Sequence, residues 1–182
     1  EEQTMSTPPN VTGVTYGGRP LTSVVAEDVI NGGCSVRVEM WILNESGLVA
    51  ATGNTLVPSW TASPDTPLYS HAIFNNVDQM MPIGASTKSK VAGHTPNPVP
   101  MDPVATSNGD MVIGAAAAGI AGTYTAQNGF TLGLTQSRTS GGTTAHGIGH
   151  KTANGSSETV SMLGPPSPNR QAALAIVLKA AN

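Results

Sequence analysis

The chain has 182 residues, a formal net charge of −3 and only 10% charged residues, against about 25% in ordinary globular domains. Its eight basic residues are scattered singly, which leaves no electrostatic footprint for nucleic acid. No apolar run approaches the ~20 residues of a membrane-spanning helix, and apolar segments recur to the end of the chain, which excludes disorder.

The length suits one domain with a sizeable core. Gly (21), Pro (14) and abundant Ser, Thr and Asn interrupt the apolar runs at short intervals, so short strands joined by turns are expected rather than helices. Residues 1–10 are polar, carry a Pro-Pro pair and read as an arm; residues 11–182 read as a single domain. Val11–Tyr16 alternates, Gly17-Gly18 reads as a hairpin turn, and Leu21–Val25 is expected to return as its partner. After the Asn31-Gly-Gly33 turn comes Cys34–Leu43, the strongest alternation in the chain. Cys34, Val36, Val38, Met40 and Ile42 share one face; Ser35, Arg37, Glu39, Trp41 and Leu43 share the other. It is expected to be the central strand, with Cys34 a buried thiol. A lone cysteine cannot form an internal disulfide.

Asn44–Gly47 closes that strand, and Thr52–Trp60 holds a shorter one whose Pro58 points to a sheet edge or a bulge. Ser63–Pro67 is a turn, and Leu68–Val77 is expected to be a second strong strand. Residues 93–103 contain four prolines and form a loop. Asp110–Ala118 is rich in alanine, but Gly114, Gly119 and Gly122 favour a small-residue strand over a helix. Phe130–Leu134, Ala145–His150 and Glu158–Met162 read as further strands, and Gly164–Pro168 as a rigid loop. Ala172–Ala181 fits either a last strand or a short helix by pattern alone.

Three blocks resemble a jelly-roll-like β-sandwich family found in bacterial secreted and surface proteins and in phage structural proteins. They are Val11-Thr-Gly-Val-Thr-Tyr-Gly-Gly-Arg-Pro-Leu-Thr22, Val38-Glu-Met-Trp-Ile-Leu43 and His71-Ala-Ile-Phe-Asn-Asn-Val-Asp-Gln-Met-Met-Pro-Ile-Gly-Ala85. The tail, Ala173–Ala180, is similar to the family's closing strand. The resemblance implies an antiparallel β-sandwich of jelly-roll type, makes the tail a strand, and brings no shared catalytic motif. Members of the family open with a long hydrophobic strand, whereas the residues before Val11 here are polar. Either this chain does without that strand, or a strand from a partner chain or from a cleaved upstream piece completes the sheet by β-strand addition.

Few residues are candidates for a site. His146 and His150 lie four apart, on one face of a strand, where both imidazoles could reach a cation with His71 or His94 as a third ligand. A zinc site needs that third donor and usually a fourth, so two histidines in a Gly/Thr-rich strand are the simpler account. Glu27, Asp28, Asp65, Asp78, Asp102 and Asp110 are acids of the kind that hold a structural calcium, but none is spaced as a loop motif and no address can be read. Asp78 and Asp110 are better explained as turn formers. Trp60 and Trp41, with Tyr16, Tyr69 and Tyr124, are the aromatics on which a glycan could stack; core packing competes with that role. There is no G-x-S-x-G elbow and no favoured pair of carboxylates, so no enzyme activity and no cofactor are expected. The N-x-S/T triplets at Asn10, Asn44 and Asn154 are expected by chance in so Ser/Thr-rich a chain.

The reading is therefore a non-catalytic β-sandwich in one of two roles. One is a structural subunit, in a virion (capsid decoration or tail) or an extracellular surface assembly, that self-associates or docks on a protein lattice. The other is a secreted glycan-binding or adhesion module. Metal-dependent hydrolysis through His146 and His150 ranks behind both.

Overall fold

A computed structural model describes residues 9–140 and 142–181, and the backbone of residues 2–3. The fold is an all-β antiparallel sandwich. In chain order the strands are β1 (Glu2–Gln3), β2 (Val11–Tyr16), β3 (Arg19–Pro20), β4 (Thr22–Asn31) and β5 (Cys34–Ile42). A short helix α1 (Glu45–Val49) follows, then β6 (Leu56–Trp60), β7 (Ile83–Val91), β8 (Val104–Ala105), β9 (Met111–Ala118) and β10 (Thr125–Ala126). The last are β11 (Thr131–Arg138), β12 (Thr144–Thr152), β13 (Ser157–Glu158), β14 (Met162–Leu163) and β15 (Gln171–Leu178). The main sheet has the order β11-β12-β9-β15-β7, and β1-β5-β4 forms the opposing layer.

The centre of the molecule is β9 and β15, paired from Gln171↔Ala118 to Leu178↔Met111. Both are buried on two faces, which dictates their composition. On one face Val112, Ala116, Ala118, Ala173, Ala175 and Val177 pack under a cap of loops and two-stranded ladders that brings in Val99, Tyr124, Phe130 and Met162. On the other, Ala115, Ala117, Ala172 and Leu174 meet Val29, Val36 and Val38 of the β4–β5 hairpin. Alanine is favoured because a layer stands close on each side. Gly114 and Gly147 are the extreme cases: a Cβ at Gly114 would sit 2.3 Å from Val160 Cγ1, and one at Gly147 2.5 Å from Tyr124 Cβ.

The alanine-rich segment is thus a strand, as its glycines suggested, and the C-terminal segment is one too. Five other expectations need correction. Glu158–Met162 is not one strand: its two ends belong to separate ladders, Glu158 to β13 with β8 and Met162 to β14 with β10. Cys34–Leu43 forms β5, but in the outer layer rather than at the centre: its alternation reflects a strand with one face on the core, while the doubly buried strands hide their pattern in alanines. Cys34 lies beside the Gly32–Gly33 turn and is half-buried, not buried. The partner of β2 in its hairpin is only Arg19–Pro20, because the chain crosses at Leu21 to the other layer, where β4 pairs with β5. The other neighbour of β2 is β6, so Pro58 sits on an edge strand as expected.

Leu68–Val77 is not a strand; its one ladder contact is a bridge, Val77↔Ala180. Asn76 has φ 60°, a left-handed conformation that stops an extended strand, and among the described residues the rest of the segment joins no ladder. The strand the sequence reading missed is β7, Ile-Gly-Ala-Ser-Thr-Lys-Ser-Lys-Val. It alternates half-buried and exposed along its whole length, but with Ser and Thr among the inward positions rather than large apolar residues.

Candidate functional site: an apolar cleft on the open flank

The sandwich closes differently on its two sides. On the β7 side, Lys88 and Lys90 reach across to β4. Their ammonium groups donate to the carbonyl oxygens of Ala26 and Asp28, both at 2.9 Å, which otherwise lie unpaired on that strand's edge. The same lysines flank Glu27, at 3.6 and 3.0 Å. Burial pushes the Glu27 carboxyl up, but the bond from Lys90, the Asp28 N–H and the two ammonium charges outweigh it and leave the group below its ordinary value.

On the β11 side nothing comparable spans the gap. Antiparallel pairing of β1 with β5 covers Val36 and Ser35. Among the described residues no strand pairs with Val38–Ile42 on the side away from β4. Between that stretch and the main sheet lies a cleft of about 720 Å3. Its main-sheet wall comprises Ala115 and Ala117 of β9, His146, Ile148 and His150 of β12, and Gly133 and Leu134 of β11. Val38, Met40 and Ile42 line it from β5, and Val14, Tyr16 and Trp60 from β2 and β6.

The coil of residues 67–77 also lines the cleft, held by side chains. Tyr69 tilts against Trp60 with ring centroids 6.4 Å apart, and His71 against Tyr16 at 6.1 Å. Ser70 Oγ lies 3.3 Å from His146 Nε2. Among the described residues, Ser70–Asn75 make no backbone–backbone hydrogen bond, and Ile73 is 62% exposed. The segment covers an apolar face without belonging to a sheet.

The cleft gathers four of the residues singled out in the sequence: Trp41, Trp60, His146 and His150. Trp41 is on the face of β5 away from the core, as its alternation predicted, and its indole N–H donates to Glu39 at 2.9 Å; Glu39 also pairs with Arg37. Burial lowers the His146 pKa to about 4, so this imidazole is neutral at physiological pH. His71 and His94 do not join the two histidines. His71 lies on Tyr16, and His94 Nδ1 is 3.1 Å from the Ser167 carbonyl oxygen. Among the described residues no three His, Cys, Asp or Glu side chains gather to hold a metal ion.

Sequence reasoning missed Ser70 and the coil itself, because Ser70 meets His146 across 76 positions and nothing local marks the contact. A serine hydroxyl beside a neutral imidazole is two-thirds of a nucleophilic constellation; no carboxylate among the described residues orients His146 from the other side.

The acids proposed as turn formers behave as such. Asp78 Oδ1 accepts from the N–H groups of Met81 and Met80, which hold its carboxyl below the ordinary range. Asp110 accepts from Lys179 at 2.7 Å and from the N–H groups of Ser107 and Ala180. Tyr124 belongs to the opposite face, buried in the cap. Among the described residues no helix is long and apolar enough to cross a membrane. Compared with protein-family models, with curated proteins and with solved structures, the chain matches none.

Proposed function

We propose that this chain is a non-enzymatic structural or assembly protein, a virion component or a subunit of an extracellular surface assembly, that contacts its neighbours through the open flank. The supporting observation is the asymmetry of the sandwich: one flank is tied shut by lysines, the other offers an apolar cleft beside an unpaired strand edge. Exposed strand edges are ordinarily blunted by charge or covered, and apolar surface of this extent marks interaction sites. The jelly-roll form of the sandwich, self-association and docking on a protein lattice belong to the same proposal. Native mass measured at micromolar concentration tests it. A defined multiple of the 18.4 kDa chain, or a lattice protein that retains the chain through this flank, supports the reading; a monomer that no lattice retains contradicts it.

A second reading is a glycan-binding module. Trp60 and the exposed Tyr69 tilt against each other at the cleft, with Trp41 in the same lining, and sugars stack on such rings. A glycan array decides it: binding lost on Trp60→Ala with the fold intact would favour this role.

A further inference from the structure

We infer that the cleft accepts an extended strand of a partner polypeptide, laid antiparallel along Val38–Ile42 of β5 as a continuation of the β1 line. The inference rests on the assembly reading and specifies the partner's chemistry.

Three observations carry it. First, the edge is already a receiver. Glu2↔Val36 and Gln3↔Ser35 are antiparallel pairs, and the line they define runs on past Val38, Glu39, Met40, Trp41 and Ile42, about 17 Å of strand at ~3.3 Å per residue. Second, the space beside that line is a preformed cleft, bounded on its far side by the main sheet. Third, the coil that lines it lacks ladder bonds over Ser70–Asn75, so a strand entering there need not first break a sheet.

The register fixes what the strand must look like. Val38, Met40 and Ile42 share the inward face, and cross-strand neighbours on one face pack together. Residues opposite these three must be apolar, and those opposite Glu39 and Trp41 polar. The backbone supplies affinity through ladder bonds, and the alternate side chains supply specificity. A separate polypeptide is favoured over a second copy because a strand seated in the cleft must come free of its own sheet, whereas β2, β4, β9 and β15 are each paired within theirs and β5 is held along its length by β4.

The test is a synthetic peptide of about eight residues, apolar at alternate positions, titrated into the full chain with amide exchange as readout. A second peptide has the same side chains but N-methyl groups on alternate amides, which removes ladder donors. The expected result is binding with new protection confined to Val38–Ile42, and roughly tenfold or greater weakening on N-methylation. Leu134→Lys, at an exposed position on the cleft, should weaken the peptide without unfolding the chain.

Equal binding of both peptides would mean that the cleft takes apolar molecules of any backbone, and would overturn the strand. No binding of either would overturn it as well. Protection of Val38–Ile42 without peptide, in a self-associated form, would replace the partner with a second copy. A native oligomer in which the Val38–Ile42 amides facing away from β4 stay unprotected would leave the assembly reading standing and remove the strand; a peptide-binding monomer that no lattice retains would do the reverse.

Discussion

The two flanks of this sandwich solve one problem in opposite ways. Each has to finish the edge of the small β4–β5 layer against the larger main sheet. On the β7 flank, Lys88 and Lys90 satisfy the edge carbonyls of Ala26 and Asp28 and neutralise Glu27, which turns an edge into a sealed seam without another strand. On the β11 flank the carbonyls and amides of Val38–Ile42 that face away from β4 have no such cap among the described residues, and a coil held by ring contacts and one serine–histidine contact stands where a strand would fit. Two charged side chains, placed two residues apart so that both point the same way, separate a closed edge from an open one.

The largest effect should come from cutting the floor common to both flanks. Leu174→Ala removes a fully buried side chain between β15 and the β4–β5 hairpin, and should cost about 3 kcal/mol or more, read from urea midpoints. A much smaller cost would mean that the hairpin packs loosely and that both flanks are open.

Hydrogen exchange reads the contrast directly. Amides of Ser70–Asn75, which lack backbone partners among the described residues, should exchange orders of magnitude faster than the ladder-bonded amides of β15. Equal protection of the two segments would erase the difference between the flanks.

Acidification separates them by pH window. His146 is held near 4 by burial against an ordinary 6.5, so between those values the unfolded chain binds the proton and the folded chain does not. Stability is unaffected above about pH 6.5 and falls as the pH drops to about 4, by on the order of 2–3 kcal/mol if this group acts alone. His146→Gln should flatten that window, and an unchanged profile would mean that the cleft is fully hydrated. Glu27, on the closed flank, has a depressed carboxyl. Its contribution is complete above its ordinary value, about 4.5, and is lost only as the pH falls through its lower folded one.

The smallest effect is expected at the seam. Glu27→Gln removes the charge between two half-exposed lysines but leaves their bonds to the carbonyls, and should cost under about 1 kcal/mol, diminishing with salt. A cost several times larger would make the ion pairs, rather than the capped carbonyls, the closure.

Much of the fold was legible in the sequence, and its failures have physical causes. Period-two alternation identified β2 and β5, because each has one face on the core and one toward solvent or the cleft, and turn residues bounded β11 and β12. Glycines turned Asp110–Ala118 from a helix into a strand correctly, since Gly114 and Gly119 mark where backbone and side chain nearly touch. The strongest alternation placed β5 at the centre, whereas two-sided burial selects small residues and hides alternation. It missed β7 because Ser and Thr hold inward positions that apolar residues usually mark, and it made Leu68–Val77 a strand because propensity does not show the left-handed turn at Asn76 or whether a segment joins a ladder.

The candidate site was the less legible part. Trp41, Trp60, His146 and His150 were singled out one by one, on composition and spacing, and nothing local could say that they line one cleft. Local chemistry by itself determined that the chain is all-β, turn-rich and of low charge, and that β5 carries an apolar and a polar face, because backbone sterics and the period of two act between near neighbours. Only tertiary structure decided which edges are sealed and which is open. Lys88 and Lys90 reach Ala26 and Asp28 across 62 positions, and Ser70 reaches His146 across 76. Whether an edge is paired depends on what the rest of the chain places beside it.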